Sequence, residues 1–149
     1  MNSLIENALT WYEDVVINFD KFLKNPEEIR YLRSTCNHMQ QSIEFCIKGL
    51  LELLGEDYIP GHYLEENCDH LAEVIIKKSS ENIVFGKLKS IVEDLEWISE
   101  KSGTLSKWEQ KPRYDGENFY ANENVVRKTK SILDHMIPLV VEFSKDWEA

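Results

Sequence analysis

The sequence predicts an all-α fold: an up-down antiparallel bundle of four to five helices, forming a single domain over residues 1–149. Three observations lead there. Apolar residues recur at three- and four-residue spacing through most of the chain, as in helices with one buried face. No segment shows the strict apolar–polar alternation of a half-buried strand. The apolar share of 42% over 149 residues suits one core and exceeds what a disordered chain carries.

The first helix opens at Ser3-Leu4-Ile5-Glu6, a capping box with Ser3 as the expected cap. Its apolar face runs Ile5, Ala8, Leu9, Tyr12, Val15, Val16, Phe19, Phe22 and Leu23. Asn25-Pro26 then reads as the N-cap and first residue of a second helix, with Glu27 and Glu28 at the positive end of its dipole. That helix extends to about Leu54, where Gly55 stops it. Its core stripe is Ile29, Leu32, Cys36, Met39, Ile43, Cys46, Ile47, Leu50, Leu53 and Leu54. A polar stripe runs beside it through Asn37, Gln41, Glu44 and Lys48. Those four residues form either a solvated face or one side of a ligand site.

A shorter third helix carries Leu64, Cys68, Leu71, Val74 and Ile75, and a fourth carries Val84, Leu88, Ile91, Val92, Leu95 and Ile98. The last starts near Asn124 and contains Pro138, whose ring should kink it against the carbonyl of Asp134. Between them, from Ser102 to about Asn122, no periodicity is visible. That connection is long for a compact domain and rich in aromatics (Trp108, Tyr114, Phe119, Tyr120). It is expected to pack on something.

The net charge is −10, which argues against a protein that coats nucleic acid over its whole surface. Residues 101–130 run the other way, with seven basic and four acidic side chains for a net of +3. The rest of the chain is therefore −13. A locally positive, aromatic segment of this kind suits a phosphate-bearing ligand. Composition noise in a surface loop would look the same.

Cys36 and Cys46 fall on one helix, about 15 Å apart along its axis, too far for a disulfide. With Cys68 they read as buried thiols in a reducing cytoplasm. The first twenty residues hold Glu6, Glu13, Asp14 and Asp20 and no Lys or Arg, unlike a secretory leader. No apolar run approaches the roughly 20 residues of a membrane span, so no membrane partner is expected. His62, Cys68 and His70 make a poor metal set, because positions 68 and 70 diverge around a helix. No metal and no cofactor is expected.

The stretch His38-Met39-Gln40-Gln41-Ser42-Ile43-Glu44-Phe45-Cys46-Ile47-Lys48-Gly49-Leu50-Leu51 resembles the long central helix of the HEPN family (higher eukaryotes and prokaryotes nucleotide-binding domain). Trp11 in the first helix, Pro60-Gly61-His62-Tyr63-Leu64 at a helix start, and Arg113-Tyr114 before the last helix resemble further family motifs, in the same order. The resemblance runs from about residue 9 to 143. It implies a helical bundle that is often a homodimer, and a nucleotide- or RNA-binding or scaffolding module. It also implies a nucleotidyltransferase-fold partner, in a toxin–antitoxin-like context.

Gln41, Glu44, Lys48, Arg113 and Tyr114 would then contact the ligand. Arg113 would grip phosphate through its planar fork and Tyr114 would stack or donate, with Glu44 and Lys48 ordering the site. The alternative is a metal-independent RNase, for which the family's motif is an Arg, four to six residues, then a His. Counting from Arg127, those positions hold Ile132, Leu133 and Asp134, and His135 follows one residue later. Arg127 would stabilise charge and His135 move protons. A literal match to the spacing occurs at Arg33 and His38, on the second helix, where the two side chains diverge by about 140°.

Overall fold

The computed structural model describes residues 1–61, 63–108 and 121–148. Within them the chain forms α1 (Ser3–Lys24), α2 (Ile29–Leu53), α3 (Leu64–Ser79), a 3₁₀ segment (Ile83–Ile91), α4 (Val92–Glu100), α5 (Ser102–Lys107) and α6 (Glu123–Glu148). No strand occurs among the described residues. The all-α helical bundle expected from periodicity is the fold found.

The pairing of α1 with α2 is antiparallel and can be followed residue by residue. Asn2 Nδ2 donates to the carbonyl of Gly49 at 2.8 Å, and Ser42 Oγ donates to that of Ala8 at 2.8 Å. Further along, the rings of Trp11 and His38 lie 4.9 Å apart, and Lys21 Nζ stands 5.8 Å from the Tyr31 ring. Gly49 makes the close approach possible. A Cβ there would lie 2.7 Å from Ile5 Cγ1 and 3.0 Å from the Ile5 nitrogen.

Helix α6 is also antiparallel to α1. Tyr12 donates its hydroxyl to Asp134 Oδ1 at 2.7 Å, and Lys130 Nζ lies 5.1 Å from the centre of the Phe19 ring. Lys130 reaches both oxygens of the same Asp134 at 2.9 Å. Burial, with the carboxylate of Asp134 beside it, pushes the Tyr12 hydroxyl up to about 12. Since α2 and α6 each oppose α1, they run in the same sense where they touch.

Two element boundaries differ from expectation. The N-cap of α1 is Asn2 rather than Ser3, its Oδ1 accepting from Ile5 N at 2.9 Å. Asn caps as well as Ser, and its amide is free to reach α2 at the same time. Asn25 does not open α2; it closes α1, donating its N–H to Lys21 and Phe22. Its carbonyl then accepts from Glu28 N at 3.0 Å, so the chain turns before it can wind again. Helix α2 therefore starts at Ile29 behind Glu28, which makes no side-chain cap. It ends as expected, with Gly55 at φ +75°.

The expected fourth helix is split. Its first half is 3₁₀, capped by Asn82 through Val84 N at 3.0 Å. The buried residues there, Phe85, Leu88 and Ile91, are spaced by three, which stacks them on one side of a three-residue turn. The stretch from Ser102 is not wholly irregular either. Residues 102–107 form α5, and Leu105 and Trp108 enter the core. Helix α6 continues through Pro138, an exposed position where water can serve the carbonyl that proline leaves without a donor.

Candidate functional site

The polar stripe of α2 is not a solvated face. Asn37 Nδ2 donates to the Trp108 carbonyl at 3.3 Å, and Lys48 Nζ donates to the Gly61 carbonyl at 3.0 Å. The same ammonium lies 6.0 Å from the Tyr58 ring. Gln41 is half-buried and Glu44 is buried. The stripe thus faces the segment after α2 and Trp108 at the end of α5. Arg113, Tyr114 and His62 lie outside the described residues.

The loop that Lys48 holds is clamped a second time by Asn67. Its Oδ1 accepts from Ile59 N at 2.8 Å and its Nδ2 donates to Ile59 O at 2.9 Å, so one side chain satisfies both polar groups of a residue. Gly61, at φ +90°, supplies the left-handed turn that only glycine takes easily.

Arg127 and His135 both stand on α6, eight residues and about 12 Å apart along the axis. Each has its own carboxylate. Arg127 Nη2 lies 3.6 Å from Glu123 Oε1, one turn back on α6. His135 Nδ1 lies 2.6 Å from Asp94 Oδ2 on α4, and its Nε2 faces Ser90 Oγ at 3.4 Å. A carboxylate on Nδ1 fixes the ring and turns Nε2 toward Ser90 and solvent. Sequence reasoning missed Asp94 and Ser90. Their spacing of four residues is a weak local signal, and the helix they face is set by the tertiary fold.

Arg33 and His38 are both half-buried on α2. His38 packs on Trp11, and burial lowers its pKa, with Asp14 opposing more weakly. Its Nδ1 is buried with no hydrogen-bond partner among the described residues.

The three cysteines are free and buried. Burial raises each thiol: Cys36 and Cys68 well above the ordinary value, Cys46 to about 12. Cys68 is raised further by Asp69, Cys46 and Glu44. Such thiols pack and do not attack. His70 pairs with Glu56 at 3.4 Å, and no three His, Cys, Asp or Glu side chains among the described residues form a metal-holding group.

No curated protein and no solved structure matches the chain. A family model does, that of the HEPN domain, over residues 2–145 of the 149. The chain belongs to the HEPN domain family.

Proposed function

We propose that the protein is a nucleotide- or RNA-binding module without catalysis of its own, a homodimer in the cytoplasm that scaffolds a nucleotidyltransferase-fold partner in a toxin–antitoxin-like setting. Family membership supports the nucleotide or RNA ligand. The observation that carries the absence of catalysis is the division of Arg127 from His135. Cleavage of a phosphodiester needs a charge-stabilising cation and a proton carrier on the same phosphate. Here the two groups stand about two helical turns apart on one helix. In this reading Arg127, with Arg113 and Tyr114, holds phosphate and base, and Gln41, Glu44 and Lys48 order the surface beneath.

A metal-independent RNase is the second reading. It is favoured by the 2.6 Å contact of His135 with Asp94, which prepares the ring for proton transfer.

Equilibrium binding of fluorescently labelled single-stranded RNA in EDTA tests the first reading. The expected result is saturable binding that weakens with salt and drops in Arg113→Ala and Arg127→Ala. Binding that is indifferent to both substitutions, with the fold intact, contradicts it. Light scattering should give about twice the 17.5 kDa of one chain, and a monomer would remove the dimer from the account.

A further inference from the structure

Ser90, His135 and Asp94 come from three elements and meet at one imidazole ring. His135 on α6 has Asp94 Oδ2 of α4 at 2.6 Å from its Nδ1, and Ser90 Oγ of the 3₁₀ segment at 3.4 Å from its Nε2. Ser90 and Asp94 are four residues apart, on either side of the junction at Ile91, and both face α6.

The order of the three sets the direction of the hydrogen bonds. An ionised carboxylate can only accept, so Nδ1 carries the hydrogen that goes to Asp94. The neutral ring then has its lone pair on Nε2, and Ser90 is the donor. Ser90 Oγ also lies 3.4 Å from the Lys87 carbonyl, so the hydroxyl rotates between two acceptors of equal reach, one of them a base. Ser42, Ser79 and Ser80 donate to backbone carbonyls instead, and Ser99 donates to Asp69 Oδ1.

We propose that Ser90 is a covalent acceptor site, which takes one acyl group from an activated donor such as a thioester or an aryl ester. The Ser90 hydroxyl proton passes to His135 Nε2 as Oγ bonds to the carbonyl carbon. The tetrahedral intermediate collapses, the carbon–sulfur or carbon–oxygen bond to the leaving group breaks, and a thiolate or phenolate departs with that electron pair. His135 returns its proton to the leaving group or to solvent. Asp94 is a positioning residue: it holds the hydrogen on Nδ1 and keeps Nε2 ready to accept. Exposure selects the donor. Ser90 is open to solvent, where the oxyanion meets water rather than fixed donors in a water-excluded pocket, so the leaving group must be a good one. The alkyl ester formed on Ser90 has a poor leaving group, and the acyl group stays. The outcome is one modified serine per chain, without turnover, and it does not rest on RNA binding.

The test treats the whole protein with p-nitrophenyl acetate, follows p-nitrophenolate release and maps the acetyl group by peptide mass spectrometry. A burst of about one p-nitrophenolate per chain and an acetyl group on Ser90 are expected. Ser90→Ala should abolish the burst, and His135→Gln should slow it about a hundredfold. Asp94→Asn should slow it too, because its amide donates to Nδ1 and moves the ring hydrogen to Nε2. Asp94→Glu keeps the carboxylate and should recover part of the rate. Ser80→Ala, at an exposed position, should behave as the parent does, and circular dichroism checks that every variant folds. No burst, or acetylation of lysines with Ser90 unmodified, would overturn the proposal. So would equal rates in Asp94→Asn and the parent. A burst that survives Ser90→Ala and disappears in His135→Gln would overturn it by making the imidazole itself the nucleophile.

Discussion

His135 and Asp94 are 41 residues apart in sequence and 2.6 Å apart in space, Nδ1 against Oδ2. The contact joins α6 to α4 and gives an exposed imidazole a fixed orientation. Because His135 is 44% exposed at its side chain, the pair is a modest source of stability. Asp94→Ala and His135→Ala should each cost about 0.5–1 kcal/mol. The double variant should cost less than the two losses added together, since the partners share one interaction. Denaturant titration of the four proteins measures this. Fully additive losses would mean that the pair contributes nothing.

Gly49 is a point of close approach between α1 and α2. Alanine is the better helix former by about 1 kcal/mol, yet its methyl would meet the Ile5 side chain and backbone at 2.7 and 3.0 Å. Gly49→Ala should therefore lower stability by about 1–3 kcal/mol. Ile5→Ala removes Cγ1, so the double variant should lose less than the two single losses added. A neutral or stabilising Gly49→Ala would mean that the helices part freely at this point.

His38 gives the stability a slope in mild acid. Burial holds its folded pKa below the ordinary 6.5. As pH falls through about 6.5, the unfolded chain gains a proton before the folded one does, and stability drops. Melting temperature should decline between pH 7 and 5.5, and more steeply in the parent than in His38→Gln. Parallel curves for the two proteins would contradict the assignment.

Ser144 carries a buried hydroxyl with no hydrogen-bond partner among the described residues, on a helix facing the core. Removing an unpaired buried polar group and improving helix propensity act in the same direction. Ser144→Ala should be more stable by about 1 kcal/mol, seen as a melting point higher by roughly 2–4 °C. A destabilised variant would show that the hydroxyl has a partner in solution.

Much of the fold was legible because burial imposes periodicity. The stripes read for α1 and α2 name nearly all the core residues of those two helices, Ile5, Val15, Met39, Ile43 and Leu50 among them, although Val16 and Leu23 of the α1 stripe are exposed. Boundaries were less legible, because neighbouring residues of similar chemistry compete for one role. Asn2 displaced Ser3 as a cap, and Asn25 served the end of α1 instead of the start of α2. The 3₁₀ turn was hidden in a three-residue spacing that an α-helix shares.

The candidate site was harder to read, because its geometry depends on distant contacts. Nothing near Lys48 in sequence announces that its ammonium goes to Gly61, and nothing near His135 points to Asp94. Arg113 and Tyr114, which the resemblance singles out, fall outside the described residues.

We propose that this HEPN-family protein holds RNA without cutting it, since Arg127 and His135 stand about two turns apart on α6. The direct measurement is incubation of the purified protein with end-labelled RNA in EDTA, with binding and cleavage followed in the same sample. A shifted, intact RNA is expected for the parent and for His135→Ala alike. RNA cleaved in EDTA by the parent, and left whole by a folded His135→Ala or Arg127→Ala, would contradict it and establish the RNase.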